Sequence, residues 1–268
     1  MPNSAAGNDA QGNDAQVLVD KAAGVCTITL NRPEKRNAFT VPMYQRCVDA
    51  LKDAGADPAV RVVLITGAGA AFTSGNDVAD FPNMPTNPEE NPAFQLLLAL
   101  LDFEKPVVAA VNGAAVGVGV TLLLHCDLVY VADNAKLLCP FVSLGLVPEG
   151  GSSLLLPRMA GMAKACEVLM LAEPFDGATA VSVGLATRVL PATEVLTFAR
   201  SRAARLVELP AASLRASKKL LRDPIREEIR KALFTEAVLF GERIGSPEAA
   251  EAFSAFFEKR KPDFSKFS

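Results

Sequence analysis

The run Val62-Val63-Leu64-Ile65, closed by Gly67, is short and wholly apolar, the pattern of a strand buried on both faces. Val41 to Ala54 repeats apolar residues at Met43, Cys47, Val48 and Leu51, a helical spacing. A helix around Pro92 to Leu101 precedes a second apolar strand, Val107 to Val111. After a glycine loop, a helix near Gly119 to Cys126 leads to a third strand, Leu128 to Val131. Upstream, Val17-Leu18-Val19 and Val25 to Leu30 read as strands, the second ending at Asn31-Arg32-Pro33. Strands alternating with helices imply an α/β architecture with right-handed crossovers.

Beyond about Ala192 the pattern turns helical. Thr193 to Glu208, Pro210 to Arg222, Pro224 to Ile244 and Pro247 to Lys259 read as successive helices, several opened by a proline. The expected organisation is a lead at 1–15, a core at 16–195 and a helical region at 196–268. The lead is rich in Asn, Asp, Gly and Ala and holds no Lys or Arg, so it reads as disordered rather than as a targeting signal. Ser265-Lys266-Phe267-Ser268 is a poor match to a peroxisomal signal, and a cytoplasmic protein is expected.

Bulk properties narrow the function. At 268 residues, 50% hydrophobic, the chain can bury the core of one large α/β domain or of a domain plus a helical extension. A net charge of -3 argues against a nucleic-acid partner. The five cysteines (Cys26, Cys47, Cys126, Cys139, Cys166) are scattered without a CxxC pair and read as buried free thiols of a reducing compartment. The single histidine, His125, makes a His-based metal site or a Ser-His-Asp triad hard to build, and no metal is expected. Asn112, His125, Asp127 and several glycines interrupt the apolar region from Val107 to Val131, so a buried segment is expected there and no membrane span.

Three glycine loops carry the chemistry. Val147-Pro148-Glu149-Gly150-Gly151-Ser152-Ser153 sets one carboxylate at a turn that reads as a helix start. Ser74-Gly75-Asn76-Asp77 can aim the Asn76 N–H at an anion. Gly117-Val118-Gly119 places the Val118 N–H at an expected helix start, where the free N–H groups and the helix dipole favour negative charge. Two such donors would form an oxyanion hole facing the Glu149 carboxylate. Alternatively, these glycines only turn the chain, and Glu149 is a first-turn glutamate answering a helix dipole. Nucleotide fingerprints are weak: no GxGxxG follows a strand with an acidic residue about 20 residues on, and no GxxxxGK[ST] occurs.

The segment Lys105-Pro106-Val107-Val108-Ala109-Ala110-Val111-Asn112-Gly113, continued through Gly119 to Cys126-Asp127, resembles the signature of the crotonase (enoyl-CoA hydratase/isomerase) superfamily. Leu30 to Ala38 and Ala71 to Asp77 resemble further motifs of that superfamily, in the same order. The resemblance implies a crotonase-like spiral of ββα units with a helical C-terminal trimerisation region, assembled as a homotrimer or hexamer. It implies an acyl-CoA thioester substrate whose carbonyl oxygen is held by the N–H groups of Asn76 and Val118. Coenzyme A then enters as part of the substrate, with no separate cofactor. The adenine is expected near Lys35, Arg36 and Ala38, and the loop Ser74, Gly75, Asn76, Asp77 and Val78 along the pantetheine and thioester. Gly117 and Val118 complete that set.

Departures from the pattern select among reactions. The resemblance would put the two water-activating glutamates of a hydratase at Thr121 and Phe141, and neither side chain can act as a carboxylate base. Glu149 takes the position of the single base in peroxisomal-type delta(3),delta(2)-enoyl-CoA isomerases, which Pro140 to Gly145 leading into Pro148-Glu149-Gly150 also resembles. The implied reaction moves a 3-enoyl-CoA double bond to C2, with Phe141, Leu144 and Val116 or Leu146 as an apolar wall raising the Glu149 pKa. Hydration, other enolate chemistry and acyl-CoA binding without turnover are the rivals. His125 shares a helix face with Thr121 and reads chiefly as a core histidine. Asp77 and Asp80 read as capping or exposed, and Asp127 as bonded to backbone. Arg215, Lys218, Lys219 and Arg222 read as a solvated face, with a contact to the CoA 3′-phosphate as the alternative.

Overall fold

The computed structural model describes residues 16–83, 85 and 87–267, so the lead expected at 1–15 lies outside the described residues. Strands β1 (Val17–Ala22), β2 (Val25–Leu30), β3 (Val62–Gly67), β5 (Val107–Val111), β7 (Leu128–Ala132) and β10 (Arg188–Leu190) form a six-stranded sheet in the order β1-β2-β3-β5-β7-β10. The β1–β2 pair is antiparallel and the others are parallel. A second, four-stranded sheet joins β4 (Ala71–Thr73), β6 (Ala114–Val116), β8 (Lys136–Leu138) and β9 (Phe175–Asp176) in that order. Its strands are two or three residues long, too short for side-chain periodicity to reveal them, and sequence reading found none of the four.

The helices are α1 (Val41–Ala56), α2 (Pro92–Asp102), α3 (Val118–Thr121), α4 (Ser152–Ala160), α5 (Met162–Met170), α6 (Gly177–Ser182), α7 (Val195–Glu208), α8 (Ala211–Ile244) and α9 (Pro247–Phe257). The units β3-β4-α2, β5-β6-α3 and β7-β8-α4 are successive ββα turns of a spiral, each giving one strand to each sheet. Every residue of β5, and all of β3 but Gly67, is buried, as expected of parallel strands covered on both faces. Helix α7 covers β3, β5 and β7, while α1 packs on β1, β2 and α2. Thus α7, which begins at the expected core boundary of 195, lies on the central sheet.

Two helical expectations are corrected. The segments read as Pro210 to Arg222 and Pro224 to Ile244 form one 34-residue helix, α8, with Pro224 inside it. Pro224 leaves the Leu220 carbonyl without its helical donor; Leu220 is 78% exposed, so water can serve it, and packing of α8 on α2 and α4 holds the helix through the gap. The helix read near Gly119 to Cys126 is α3, four residues long, running into a 3-10 turn at Leu122–His125. Such a short helix carries little macrodipole. Among the described residues no helix is long and apolar enough to cross a membrane.

Candidate active site

Glu149 stands three residues before α4, not in its first turn. Gly150 and Gly151 both take φ +74°, a left-handed conformation that turns the chain sharply into the helix. A Cβ on Gly150 would lie 2.5 Å from the Thr121 Cβ, so glycine alone lets this turn rest on α3. The close approach brings the Thr121 hydroxyl onto Glu149, where it donates to Oε1. His125 grips the same turn: it is buried, and its Nε2 donates to the Gly150 carbonyl at 2.9 Å. That bond fixes the tautomer, and burial pushes the imidazole down to about 4, keeping it neutral.

The Asn76 and Val118 N–H groups come from the other two loops. Gly75, at φ +85°, packs against β6 so closely that a Cβ would meet the Val116 carbonyl at 2.7 Å. The segment before α1 holds this loop in register. Phe39 N–H donates to the Gly75 carbonyl at 2.8 Å, and Asp77 N–H to the Phe39 carbonyl at 2.8 Å. Arg32 pairs with Asp77 at 2.6 Å, and buried Asn37 donates to the carbonyls of Ala68 and Ala71 at 2.9 and 2.8 Å. Gly117, at φ +56°, precedes Val118, the first residue of α3. Neither the Asn76 nor the Val118 N–H has a protein acceptor among the described residues.

Asn76, Val118 and Glu149 line one cleft. Apart from Asn91, whose side chain caps α2, its remaining wall is apolar: Phe94 and Leu97 from α2, and Leu233, Ala237, Phe240 and Ile244 from α8. Glu149 is the one ionisable side chain among the described lining residues. Desolvation raises its carboxyl to about 8 against the Thr121 hydroxyl, which lowers it, and the nearby Glu236 charge adds to the rise. A carboxylate so poised is a competent base near neutral pH.

The structure separates the remaining expected site residues from this lining. Phe141 is buried behind the wall, edge to face with Phe240 at 6.5 Å, and Leu144, Leu146 and Val116 also lie outside the lining; α2 and α8 supply the wall instead. Lys35 and Arg36 are exposed at a 3-10 turn, and buried Ala38 follows them. Ser74 bonds back to that segment, its N–H to the Arg36 carbonyl at 2.9 Å. Val78 begins a 3-10 turn, and Asp77, besides its pair with Arg32, accepts from Ala79 N–H at 3.2 Å. The solvated basic face is corrected in part: Lys218 is buried against Asp127 at 2.8 Å, and Arg222 donates to the Leu124 and Cys126 carbonyls, whereas Lys219 is exposed. Asp127 does bond backbone, accepting from Val107 N–H at 2.8 Å.

Two neighbours of the site escaped sequence reading. Buried Tyr44 stacks on Phe39 and donates its hydroxyl to Asn76 Oδ1. Buried Glu236 accepts from the Gly151 N–H at 2.6 Å and the Ser153 N–H at 2.9 Å. A signal for Glu236 was present: it interrupts the apolar stripe Ile229, Leu233, Phe240 at helical spacing.

A family profile described as enoyl-CoA hydratase/isomerase matches residues 20–266. The chain belongs to this family. It is 38% identical over 252 residues to enoyl-CoA delta isomerase 2 of Rattus norvegicus, covering 92% of this chain and 64% of that protein. It is 32% identical over 253 residues to 2,3-dehydroadipyl-CoA hydratase of Escherichia coli K12, covering 93% and 98%. The chain thus spans 64% of the length of the rat isomerase and of its human counterpart. Among solved structures it resembles Pseudomonas aeruginosa OdaA, with a TM-score of 0.86 and 50% identity over 90% of this chain and 98% of that one. An enoyl-CoA hydratase/isomerase from Pseudoalteromonas atlantica T6c gives a TM-score of 0.88 at 38% identity, covering 93% and 100%. The fold is therefore crotonase-like, and family members of both reaction types lie at comparable identity.

Proposed function

We propose that this enoyl-CoA hydratase/isomerase family member shifts the double bond of a 3-enoyl-CoA thioester to C2. One observation carries the reading: Glu149 is the sole carboxylate among the described residues lining a cleft that Asn76 and Val118 also line. With the thioester oxygen on those two donors, negative charge developing at the oxygen is stabilised. Glu149 takes a proton from C2, and the C2–H electrons flow into the carbonyl to give a dienolate. The same carboxyl returns the proton to C4 as the electrons flow back, leaving the conjugated 2-enoyl thioester. The single base ends as it began, so no second acid is required.

Hydration asks for more, because water must be held, activated and added across the double bond. Thr121, where the family resemblance would seat one of a hydratase's glutamates, instead donates its hydroxyl to Glu149, and Phe141 packs behind the apolar wall. Both observations support isomerisation over hydration. Assembly as a trimer or hexamer belongs to the same proposal; exposed Leu220, Leu221, Phe256 and Phe257 support it, and light scattering tests it.

The decisive assay offers 3-hexenoyl-CoA and 2-hexenoyl-CoA separately, following conjugated enoyl absorbance and 3-hydroxyacyl product. Conversion of the first without hydration of the second is expected, with activity lost in Glu149→Gln. Full isomerase activity in that variant, or efficient hydration by the wild type, overturns the reading.

A further inference from the structure

A carboxylate just ahead of a helix normally gains from that helix's free N–H groups and from its dipole, and its pKa falls. Glu149 precedes the nine-residue α4 and would be expected to behave so. The donors are already taken. Glu236, reaching in from α8, accepts from the Gly151 N–H through Oε2, and from the Ser153 N–H and hydroxyl through Oε1. The Ser152 N–H turns back to the carbonyl of Glu149 at 3.3 Å, and the Leu154 and Leu155 N–H groups go to the Gly151 carbonyl. The carboxylate of Glu149 is left with the Thr121 hydroxyl as its protein donor among the described residues.

We infer that Glu236 is a positioning residue for the base: by occupying the N-terminal donors of α4 it withholds them from Glu149, and its own charge opposes ionisation there. The inference rests on the proposed role of Glu149 as the base. Glu236 belongs to no part of the cleft lining, so it acts through Glu149 and not on substrate. It is buried at 5% exposure, a costly place for a carboxylate unless every oxygen is bonded, and both are. The turn between the two glutamates is held from its other side by His125 on the Gly150 carbonyl, so the separation of the two carboxyls is set by bonded backbone.

The other titratable groups facing the pair act in known directions. Tyr44, from α1, is buried and its hydroxyl stays protonated, and buried Cys139 stays a thiol. His125 stays neutral. The cations nearest His125, Lys218 and Arg222, are engaged with Asp127 and with the Leu124 and Cys126 carbonyls. Among these groups Glu236 alone brings negative charge, and the burial that penalises ionisation of Glu149 penalises Glu236 as well.

Glu236→Gln keeps the volume, removes the charge and frees at least one backbone donor beside Glu149. The acid limb of the kcat/KM–pH profile with 3-hexenoyl-CoA should move down by about one pH unit, with kcat at pH 8 falling several-fold and KM little changed. A folded Glu236→Gln enzyme whose limb stays at the wild-type position overturns the inference, whatever its kcat. Should that variant not fold, carbon-13 titration of the glutamate carboxyls in the wild type decides. Two coupled inflections at the Glu149 signal uphold the inference, and a single-site curve defeats it. Glu149→Gln run alongside separates the two readings: full activity there ends the role of Glu149 itself, whereas a dead Glu149→Gln beside an unmoved Glu236→Gln limb ends only the role of Glu236.

Discussion

Helix α8 sends a buried charge into the body of the protein at each end, and the two are treated differently. Near its start, Lys218 meets the carboxylate of Asp127 at 2.8 Å and donates to the Lys105 carbonyl at 2.8 Å, with Arg222 beside the same aspartate. Opposite charges there cancel, and the cluster ties α8 to the start of β5 through the Asp127–Val107 bond. Near its end, Glu236 meets no cation among the described residues; backbone donors and the Ser153 hydroxyl satisfy it, and it stands by a second carboxylate, that of Glu149. The first arrangement resolves its electrostatics within the fold. The second leaves a residual cost that a reacting proton can relieve, the signature expected where charge does chemistry.

Substitutions can break this contrast. The largest effect should be on turnover: Glu149→Gln removes the proposed base and should lower kcat with 3-hexenoyl-CoA by about a thousandfold, roughly 4 kcal/mol of barrier. At the other end, Asp127→Ala strands buried Lys218 and should lower unfolding stability by roughly 3–5 kcal/mol in denaturant titration. The acid limb of the activity profile should stay in place for whatever folds.

A third test joins the two regions through pH. The Glu149 carboxyl holds its proton more tightly in the folded chain, at about 8, than at its ordinary 4.5. As pH rises between those values the unfolded chain ionises first, and the folded state loses stability. Glu149→Gln escapes that loss. It should be more stable than wild type at pH 8 by roughly 2 kcal/mol, discounted because the carboxyl also meets the open cleft, and little different at pH 4. Thermal melts at the two pH values check both signs.

Smaller effects sharpen the picture. Thr121→Val removes the hydroxyl that lowers the Glu149 pKa, so the acid limb should rise by about half a unit. Lys219→Ala, which loses only a 3.9 Å exposed contact to Asp223, should change stability by less than about 0.5 kcal/mol. An effect of Lys219 as large as that of Asp127 would erase the distinction between the buried and exposed members of this face.

Sequence alone revealed what local pattern encodes. The long strands of the first sheet declared themselves by apolar runs, and Val107–Val111 matches its expected limits. The three glycine loops were visible because sharp turns need glycine, and the structure brings Asn76, Val118 and Glu149 to one cleft. What stayed hidden depends on tertiary contact. The strand β9 spans two residues and exists through its pairing with β8. The apolar wall was expected from Phe141 and Leu144 with Val116 or Leu146, yet Leu233 and Phe240 reach the cleft from a helix far downstream. Pro224 reads locally as a helix start, and only the packing on both sides keeps α8 continuous.

That continuity ties two properties together. One rod carries Glu236, which holds the turn behind the proposed base, and also Leu233, Ala237 and Phe240, which border the cleft proposed to take the acyl group. A substitution that swings the rod to admit a bulkier tail also drags the anchor of the turn, so selectivity and basicity cannot drift independently. Engineering one without the other calls for side-chain changes that leave the axis of this helix where it is.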